Sequence, residues 1–329
     1  MEAIQYGLGP VGGQIARLGL KRGLRFVGAV DTDPAKVGRD MGLVIGLGEK
    51  LGVTVTADPV DLLAATGGVA VLHTTGSSLK SVLPQLTGLL EAGCTVVSTC
   101  EELSYPFREH PEEAAVLDRV ARRNGGRVLG SGVNPGFVMD VLPLCLSTAM
   151  QEVTSLRVER VVDAAGRRQP LQKKVGVGLS EDQFREGVNG GWIRHVGLPE
   201  SICLMAAALG WQLDRLEESI EPVISRERLT SGFVPVDPGR VAGIHQWACG
   251  YVGQEVKITL DLTMVVDGRG VDRVIIDGLP PLTLEVKGGV HGDLGTAAVV
   301  INSLGGLSAL EPGLHTMLDL MRAHFGPLP

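Results

Sequence analysis

The stretch Ala3-Ile4-Gln5-Tyr6-Gly7-Leu8-Gly9-Pro10-Val11-Gly12 decides how the first part of the chain folds. A short apolar run, readable as a buried strand, passes directly into glycines spaced G-x-G-x-x-G, and a helix-like segment, Val11–Lys21, follows. In that setting Gly7 permits a tight turn, Gly9 lets the backbone approach a pyrophosphate, and Gly12 allows the helix to pack closely on the strand. The helix start offers unpaired N–H groups and the positive end of its dipole to phosphate. Gly7, Gly9, Pro10, Val11 and Gly12 are therefore read as a dinucleotide cradle. The chain has 46 glycines, so the strand before and the helix after make the match informative.

Outward from the cradle, strand-like runs at Arg25–Asp31, Val69–His73, Thr95–Ser98 and Arg127–Gly130 alternate with helix-like segments at Asp61–Ala65, Leu79–Ala92 and Pro111–Arg123. This alternation marks an α/β, doubly wound parallel sheet of the Rossmann type, whose ligands gather at the carboxyl ends of the strands. Asp31 ends the second strand about 20 residues past the glycine loop, where a carboxylate accepts ribose hydroxyls and repels a 2′-phosphate. NAD is the expected cofactor, with NADP open because Lys36 and Arg39 could offset a phosphate charge if their loop folds back; as the plainer alternative, Asp31 caps the next turn. After Val69–His73, the residues Thr74, Thr75 and Gly76 supply small side chains and N–H donors for the cofactor, while Ser77 or Ser78 could serve only as a helix cap.

Glu101 and Glu102 follow the Thr95–Ser98 strand, where a nicotinamide ring is expected, and hydride transfer at an amine or alcohol carbon needs a proton acceptor there. Glu101 is slightly favoured over Glu102, since neighbours on extended backbone point apart; the competing reading makes both a solvated helix start. In Ser131-Gly132-Val133-Asn134-Pro135-Gly136-Phe137, Asn134 offers a donor and an acceptor to substrate or nicotinamide, although Asn-Pro-Gly is also a good simple turn.

Beyond residue 137 the texture changes. An apolar stretch, Val138–Met150, leads to the alternating run Ser155–Val162, a helix at Pro199–Leu209, and strands within Glu255–Asp267, Val271–Ile276 and Leu282–Val286. These imply a second, α+β domain on a mixed sheet, over residues 138–293; fold analogy makes it the substrate-binding and dimerisation domain. Helices at Leu294–Leu304 and Gly313–His324, within 294–329, are expected to complete the first domain, 1–137.

The 329 residues are 44% hydrophobic and 20% charged, with a net charge of −7 and both signs scattered, which gives no footprint for nucleic acid or an anionic membrane. Every apolar run is broken before about 18 residues, so no membrane span is expected, and without a leader-like start a cytoplasmic location follows. Cys94, Cys100, Cys145, Cys203 and Cys249 form no CxxC pair and read as ordinary buried thiols; no metal site is expected.

The segments Gly7–Gly12, Ser98-Thr99-Cys100-Glu101-Glu102 and Gly132-Val133-Asn134-Pro135-Gly136-Phe137-Val138-Met139-Asp140 together resemble the family of 2,4-diaminopentanoate dehydrogenase and native amine dehydrogenases, which carry a dihydrodipicolinate-reductase-like N-terminal domain. The likeness continues through Arg160–Asp163, Arg167–Lys174, His195–Gly197 and Gly292–Ala297. It implies NAD(P)-linked oxidative deamination of an amine to a ketone and ammonia, and the reverse, with the acid–base carboxylate in Glu101–Glu102 and the substrate carboxylate held by Arg160 and His195. Read without it, Arg160 is a solvated strand arginine and His195 a satisfied, partly buried histidine. Fold analogy implies a homodimer. Two other readings stay open: a reductase of a carbonyl or cyclic imine, like dihydrodipicolinate reductase or homoserine dehydrogenase, and a non-catalytic dinucleotide sensor.

Overall fold

The computed structural model describes residues 1–321, which divide into two compact units: Met1–Phe137 with the segment from His291 onward, and Val138–Val290. In the first unit lie β1 (Glu2–Tyr6), β2 (Arg25–Val30), β3 (Val55–Thr56), β4 (Ala70–His73), β5 (Thr95–Ser98) and β6 (Arg127–Gly130), with helices α1 (Pro10–Lys21), α2 (Met41–Val44), α3 (Val60–Thr66), α4 (Leu79–Glu91) and α5 (Pro111–Asn124). The second contains α6 (Val141–Ser147), β7 (Glu152–Asp163), α7 (Gln169–Lys174), α8 (Glu181–Asn189), α9 (Leu198–Ala208), β8 (Arg215–Ile224), β9 (Leu229–Thr230), β10 (Pro235–Val236), β11 (Val241–Val252), β12 (Glu255–Val265), β13 (Val271–Leu279) and β14 (Leu282–Lys287). The chain then returns through α10 (Gly292–Ser308), β15 (Gly313–His315) and α11 (Met317–Leu320).

The first unit bears out the doubly wound reading. Its sheet has the order β15-β6-β5-β4-β1-β2-β3, and every pairing in it is parallel. Strand order reverses between β1 and β4, which is the point where such sheets open a crevice for a ligand. Parallel strands covered on both faces read as continuous apolar runs, and β4 and β5 are buried at every position. Against one face, Leu79, Val82, Leu86, Leu89 and Leu90 of α4 meet Ile4, Val71, Val96 and Val128 of the strands; removing one of these leucines to alanine costs about 2–5 kcal/mol. Helix α10 packs along α1 and reaches β5 and β6.

Residues 313–315, expected to be helical, form β15, paired in parallel with β6 from Gly313↔Arg127 to His315↔Leu129. Without it β6 would leave its outer N–H and C=O groups unpaired, and that edge decides the local conformation over helix propensity. Residues 322–324 of the expected helix lie outside the described residues.

The second unit carries a six-stranded mixed sheet, β14-β13-β7-β12-β11-β8, in which β7 pairs in parallel with β12 and antiparallel with β13. One face is covered by α6 and α9. Strands β8 and β11 were not expected: β8 reads Leu-Glu-Glu-Ser-Ile-Glu, too charged for an alternating strand, and β11 interrupts its pattern with Gly243 and Gly250. Cys145 on α6 is exposed, unlike the buried thiol expected there, because the outer side of that short helix carries it; all five cysteines are free thiols. Among the described residues no helix is long and apolar enough to cross a membrane.

Candidate functional site

The glycine cradle sits at the carboxyl end of β1, beside the strand-order reversal. Gly7 has φ +92°, and a Cβ there would lie 2.7 Å from the Thr74 carbonyl oxygen. A Cβ on Gly12 would lie 2.1 Å from the Gly7 carbonyl oxygen, so only glycine fits where α1 crosses the turn. At Gly9 a Cβ would meet nothing within 4 Å; the backbone there opens outward, with Pro10 fixed as the first residue of α1. An open glycine face over a helix N-terminus fits a pyrophosphate.

Inside the turn, Gln5 is fully buried on β1, and its Nε2 donates to the Gly7 carbonyl at 2.9 Å and the Leu72 carbonyl at 3.1 Å. Thr74, expected to face the cofactor, turns its hydroxyl to the Gly7 carbonyl at 2.8 Å and thereby clamps the cradle. Thr75 and Gly76 are exposed beyond it. Gln5 was missed in the sequence; the available signal is a polar side chain inside an otherwise apolar strand.

Asp31 follows β2 and is held in place by the protein itself. Its Oδ2 accepts the Leu8 N–H at 2.7 Å and Lys36 Nζ at 3.0 Å, while Oδ1 accepts the Asp33 N–H at 2.9 Å. Burial alone would raise its pKa, but the Asp33 and Leu8 N–H groups together with Lys36 outweigh that and hold it below the ordinary carboxylate range. The Lys36 loop does fold back, and it sets an ammonium beside the Asp31 carboxylate.

Glu101 and Glu102 open a 3-10 turn, Glu101–Ser104, after β5. Their surroundings differ. Ser78 makes no side-chain cap on α4, and Glu102 supplies one from outside: its Oε2 accepts the Leu79 N–H at 2.6 Å. The same oxygen lies 3.1 Å from His110 Nε2. Glu102 is thus tied to α4 and to the start of α5. Glu101 heads the turn, half-buried, next to Cys100, whose thiol is pushed well above its usual pKa by burial and then by the Glu101 charge.

Asn134 lies half-buried in the loop after β6, joined to Pro135 by a cis peptide bond. This loop folds tightly: Gly136 has φ +117°, and a Cβ there would come within 2.5 Å of the Gly132 nitrogen. The structure therefore brings the cradle, Asp31, Thr74–Gly76, the two glutamates and Asn134 to the carboxyl ends of β1, β2, β4, β5 and β6.

Arg160 and His195 belong to the second unit. Arg160 is not a solvated strand arginine: at 3% exposure, its Nη1 donates to Asp272 at 2.6 Å and its Nη2 to the Val290 carbonyl at 2.7 Å. Asp272 also accepts the Val290 N–H at 2.7 Å, closing a ring of contacts. His195 is half-buried before α9, its backbone N–H and C=O both engaged by the Gln246 side chain at 2.8 and 2.7 Å. Among the described residues no group of three His, Cys, Asp or Glu is placed to hold a metal ion.

Residues 137–325, more than half of the chain, match the model of the 2,4-diaminopentanoate dehydrogenase C-terminal domain. The chain belongs to the 2,4-diaminopentanoate dehydrogenase family. Within it, the 2,4-diaminopentanoate dehydrogenase of Acetoanaerobium sticklandii is 33% identical over 97% of this chain and 93% of that protein. An amine dehydrogenase of Streptomyces virginiae is 28% identical over 94% of each. Among solved structures, the amine dehydrogenase from Mycobacterium smegmatis superposes with a TM-score of 0.87 at 25% identity, covering 99% of this chain and 97% of that one.

Proposed function

We propose that this member of the family catalyses reversible, NAD(P)-linked deamination of a 2,4-diaminopentanoate-like amine, with Glu101 as its acid–base group. Family membership makes the chain an oxidoreductase acting on amines with an NAD-type cofactor. The observation that supports Glu101 is its place at the head of the 3-10 turn that follows β5, at the carboxyl edge of the parallel sheet where a nicotinamide is expected, whereas Glu102 caps the α4 N-terminus and faces His110.

A nicotinamide dinucleotide bound here would supply the acceptor for the hydride of the amine carbon. The protein does the rest. Gly7, Gly9 and Gly12, with the α1 N-terminus at Pro10–Val11, would hold the pyrophosphate, Asp31 the ribose, and Thr75 and Gly76 would line the way. Loss of hydride leaves the substrate as an iminium. Glu101, as carboxylate, takes a proton from the water that attacks the iminium carbon and returns it to the nitrogen of the resulting carbinolamine; as the C–N bond breaks, the hydroxyl proton passes through Glu101 to the departing ammonia, so that ketone and ammonium are released. Asn134 offers a donor and an acceptor to the substrate or the carboxamide. His195 binds the substrate carboxylate, and Arg160 serves that site from its buried pair with Asp272.

Its small-molecule partners are an amine, or a ketone with ammonia, and a net charge of −7 fits an enzyme with no nucleic-acid partner. Reliance on the cell's nicotinamide dinucleotide pool fits a cytoplasmic location. The outer face of the mixed sheet, with Val161, Trp247, Tyr251 and Ile275 half-buried in alternating register, fits a homodimer interface.

The test follows absorbance and ammonia together, with 2,4-diaminopentanoate and NAD+ or NADP+ forward, and the ketone with and without ammonia in reverse. Ammonia-dependent NAD(P)H consumption is expected. Ketone turnover without ammonia would make the enzyme a carbonyl reductase, and cofactor binding with no turnover of any amine or ketone would make it a sensor.

A further inference from the structure

Two loops carry the proposed chemistry in the first unit: residues 74–78 after β4, along the cofactor, and residues 99–102 after β5, with Glu101. The loops are stitched together. Thr99 N–H donates to the His73 carbonyl at 2.9 Å, and the Ser77 carbonyl accepts the Glu102 N–H at 3.3 Å and the Cys100 thiol at 3.1 Å.

Between them stands His73, fully buried at the end of β4. Its Nδ1 lies 2.8 Å from Ser98 Oγ, and the same Oγ accepts the Cys100 N–H at 3.1 Å. On the other side of the ring, Nε2 lies 2.9 Å from Gln85 Oε1 and 3.0 Å from Thr75 Oγ1, while Thr75 Oγ1 donates to Gln85 Oε1 at 2.6 Å. One proton arrangement satisfies all of these contacts. Nε2 carries the hydrogen toward Gln85 and Thr75, and Nδ1 accepts the Ser98 hydroxyl, which frees the Ser98 lone pairs for Cys100. Burial pushes the imidazole pKa down to about 4, so the ring stays neutral with one donor end and one acceptor end.

We propose that His73 is a positioning residue for the reaction: through Nδ1 and Ser98 it sets the turn that carries Glu101, and through Nε2, Thr75 and Gln85 it sets the cofactor loop. Each arm has its own observable. The Ser98 arm acts on the placement of the acid–base group and therefore on kcat. The Gln85–Thr75 arm acts on the cofactor loop and therefore on dinucleotide affinity. An apolar ring of the same shape would fill the volume and serve neither.

This inference rests on the amine dehydrogenase reading for the kcat arm only, because NADH affinity is measured without substrate. Ser98→Ala, Gln85→Leu, His73→Phe and His73→Asn are compared in the full-length enzyme for NADH Kd by fluorescence, kcat with 2,4-diaminopentanoate, and Tm. Ser98→Ala is expected to lower kcat about five- to tenfold with a smaller change in Kd, and Gln85→Leu to raise Kd about five- to tenfold with a smaller change in kcat, each the size of one lost hydrogen bond. His73→Phe shows both losses; His73→Asn, whose Oδ1 still accepts from Ser98, regains more of kcat than of Kd. If His73→Phe does not fold, the two single-arm variants decide. The proposal is overturned if Ser98→Ala and Gln85→Leu change kcat and Kd in the same ratio, or if neither moves either quantity by more than about twofold. A wild-type enzyme without amine turnover would sink the functional reading and leave the Kd arm to decide this one.

Discussion

His73 and Arg160 are both enclosed, and each joins a strand to a segment leading away from its sheet, yet one is a neutral ring and the other half of an ion pair. His73 sits among hydroxyl, amide and backbone groups that it satisfies without charge. Arg160 and Asp272, at 3% and 1% exposure, were both stripped of water and recover the cost from each other and from Val290. A neutral cluster of this kind costs little to keep and fixes directions, whereas a buried ion pair costs little only while both halves are present. Substitutions in the first cluster should therefore change function more than stability, and substitutions in the second the reverse.

The largest effect expected is at the turn that the His73 cluster sets. Glu101→Gln should lower kcat about 10²–10⁴-fold, the usual contribution of a positioned acid–base group, with Tm near that of the wild type. Glu102→Gln, which weakens the cap on Leu79, should show mainly as a loss of about 1 kcal/mol in urea unfolding. Equal kcat losses in the two variants would erase the distinction between them.

For the ionic cluster, Asp272→Ala should cost about 3–5 kcal/mol in unfolding free energy because it leaves the Arg160 charge buried alone. The double variant Arg160→Met with Asp272→Leu should cost less than that single one, and a double loss exceeding it would break the argument.

The neutral state of His73 has a pH signature. Its pKa is about 4 when folded, against about 6.5 in an unfolded chain. Between these values the unfolded state takes up a proton that the native state refuses. The stability is thus whole above pH ~6.5 and declines as pH falls, by up to about 3 kcal/mol near the folded pKa. Unfolding measured from pH 7 to 4 should show that slope reduced in His73→Asn; an unchanged slope would mean that other groups carry it.

The smallest effect concerns Lys36. With its ammonium removed, the Asp31 charge meets a 2′-phosphate uncompensated, so Lys36→Ala should raise the ratio of NADP+ Kd to NAD+ Kd about three- to tenfold. Isothermal titration with both cofactors reads this directly, and a ratio that falls would reverse the role given to the lysine.

Much of the first unit was legible because its requirements are local. The positions of Gly7, Gly9 and Gly12 are set by a turn a few residues long, and Asp31 by the length of one helix and one strand. The runs that became β4, β5 and β6 are apolar because both faces of the sheet are covered. Strand β15 was hidden because three residues acquire their conformation only from β6, more than 180 residues earlier. Strands β8 and β11 were hidden because one is charged and the other broken by glycine, and pairing between them supplies the regularity that neither shows alone.

The candidate site divides the same way. By itself the sequence determined the family, the parallel sheet and the glycine cradle, and it placed two glutamates and Asn134 after strands that end at one edge. Spacing along the backbone is enough for that, because strand ends in a doubly wound sheet all point to the same side. Only tertiary structure decided which group each side chain meets: Glu102 with the Leu79 N–H, Asp31 with Lys36, Arg160 with Asp272, and His73 between two loops. Hydrogen bonds and ion pairs depend on distances of about 3 Å across elements far apart in the chain, and no local pattern carries that information.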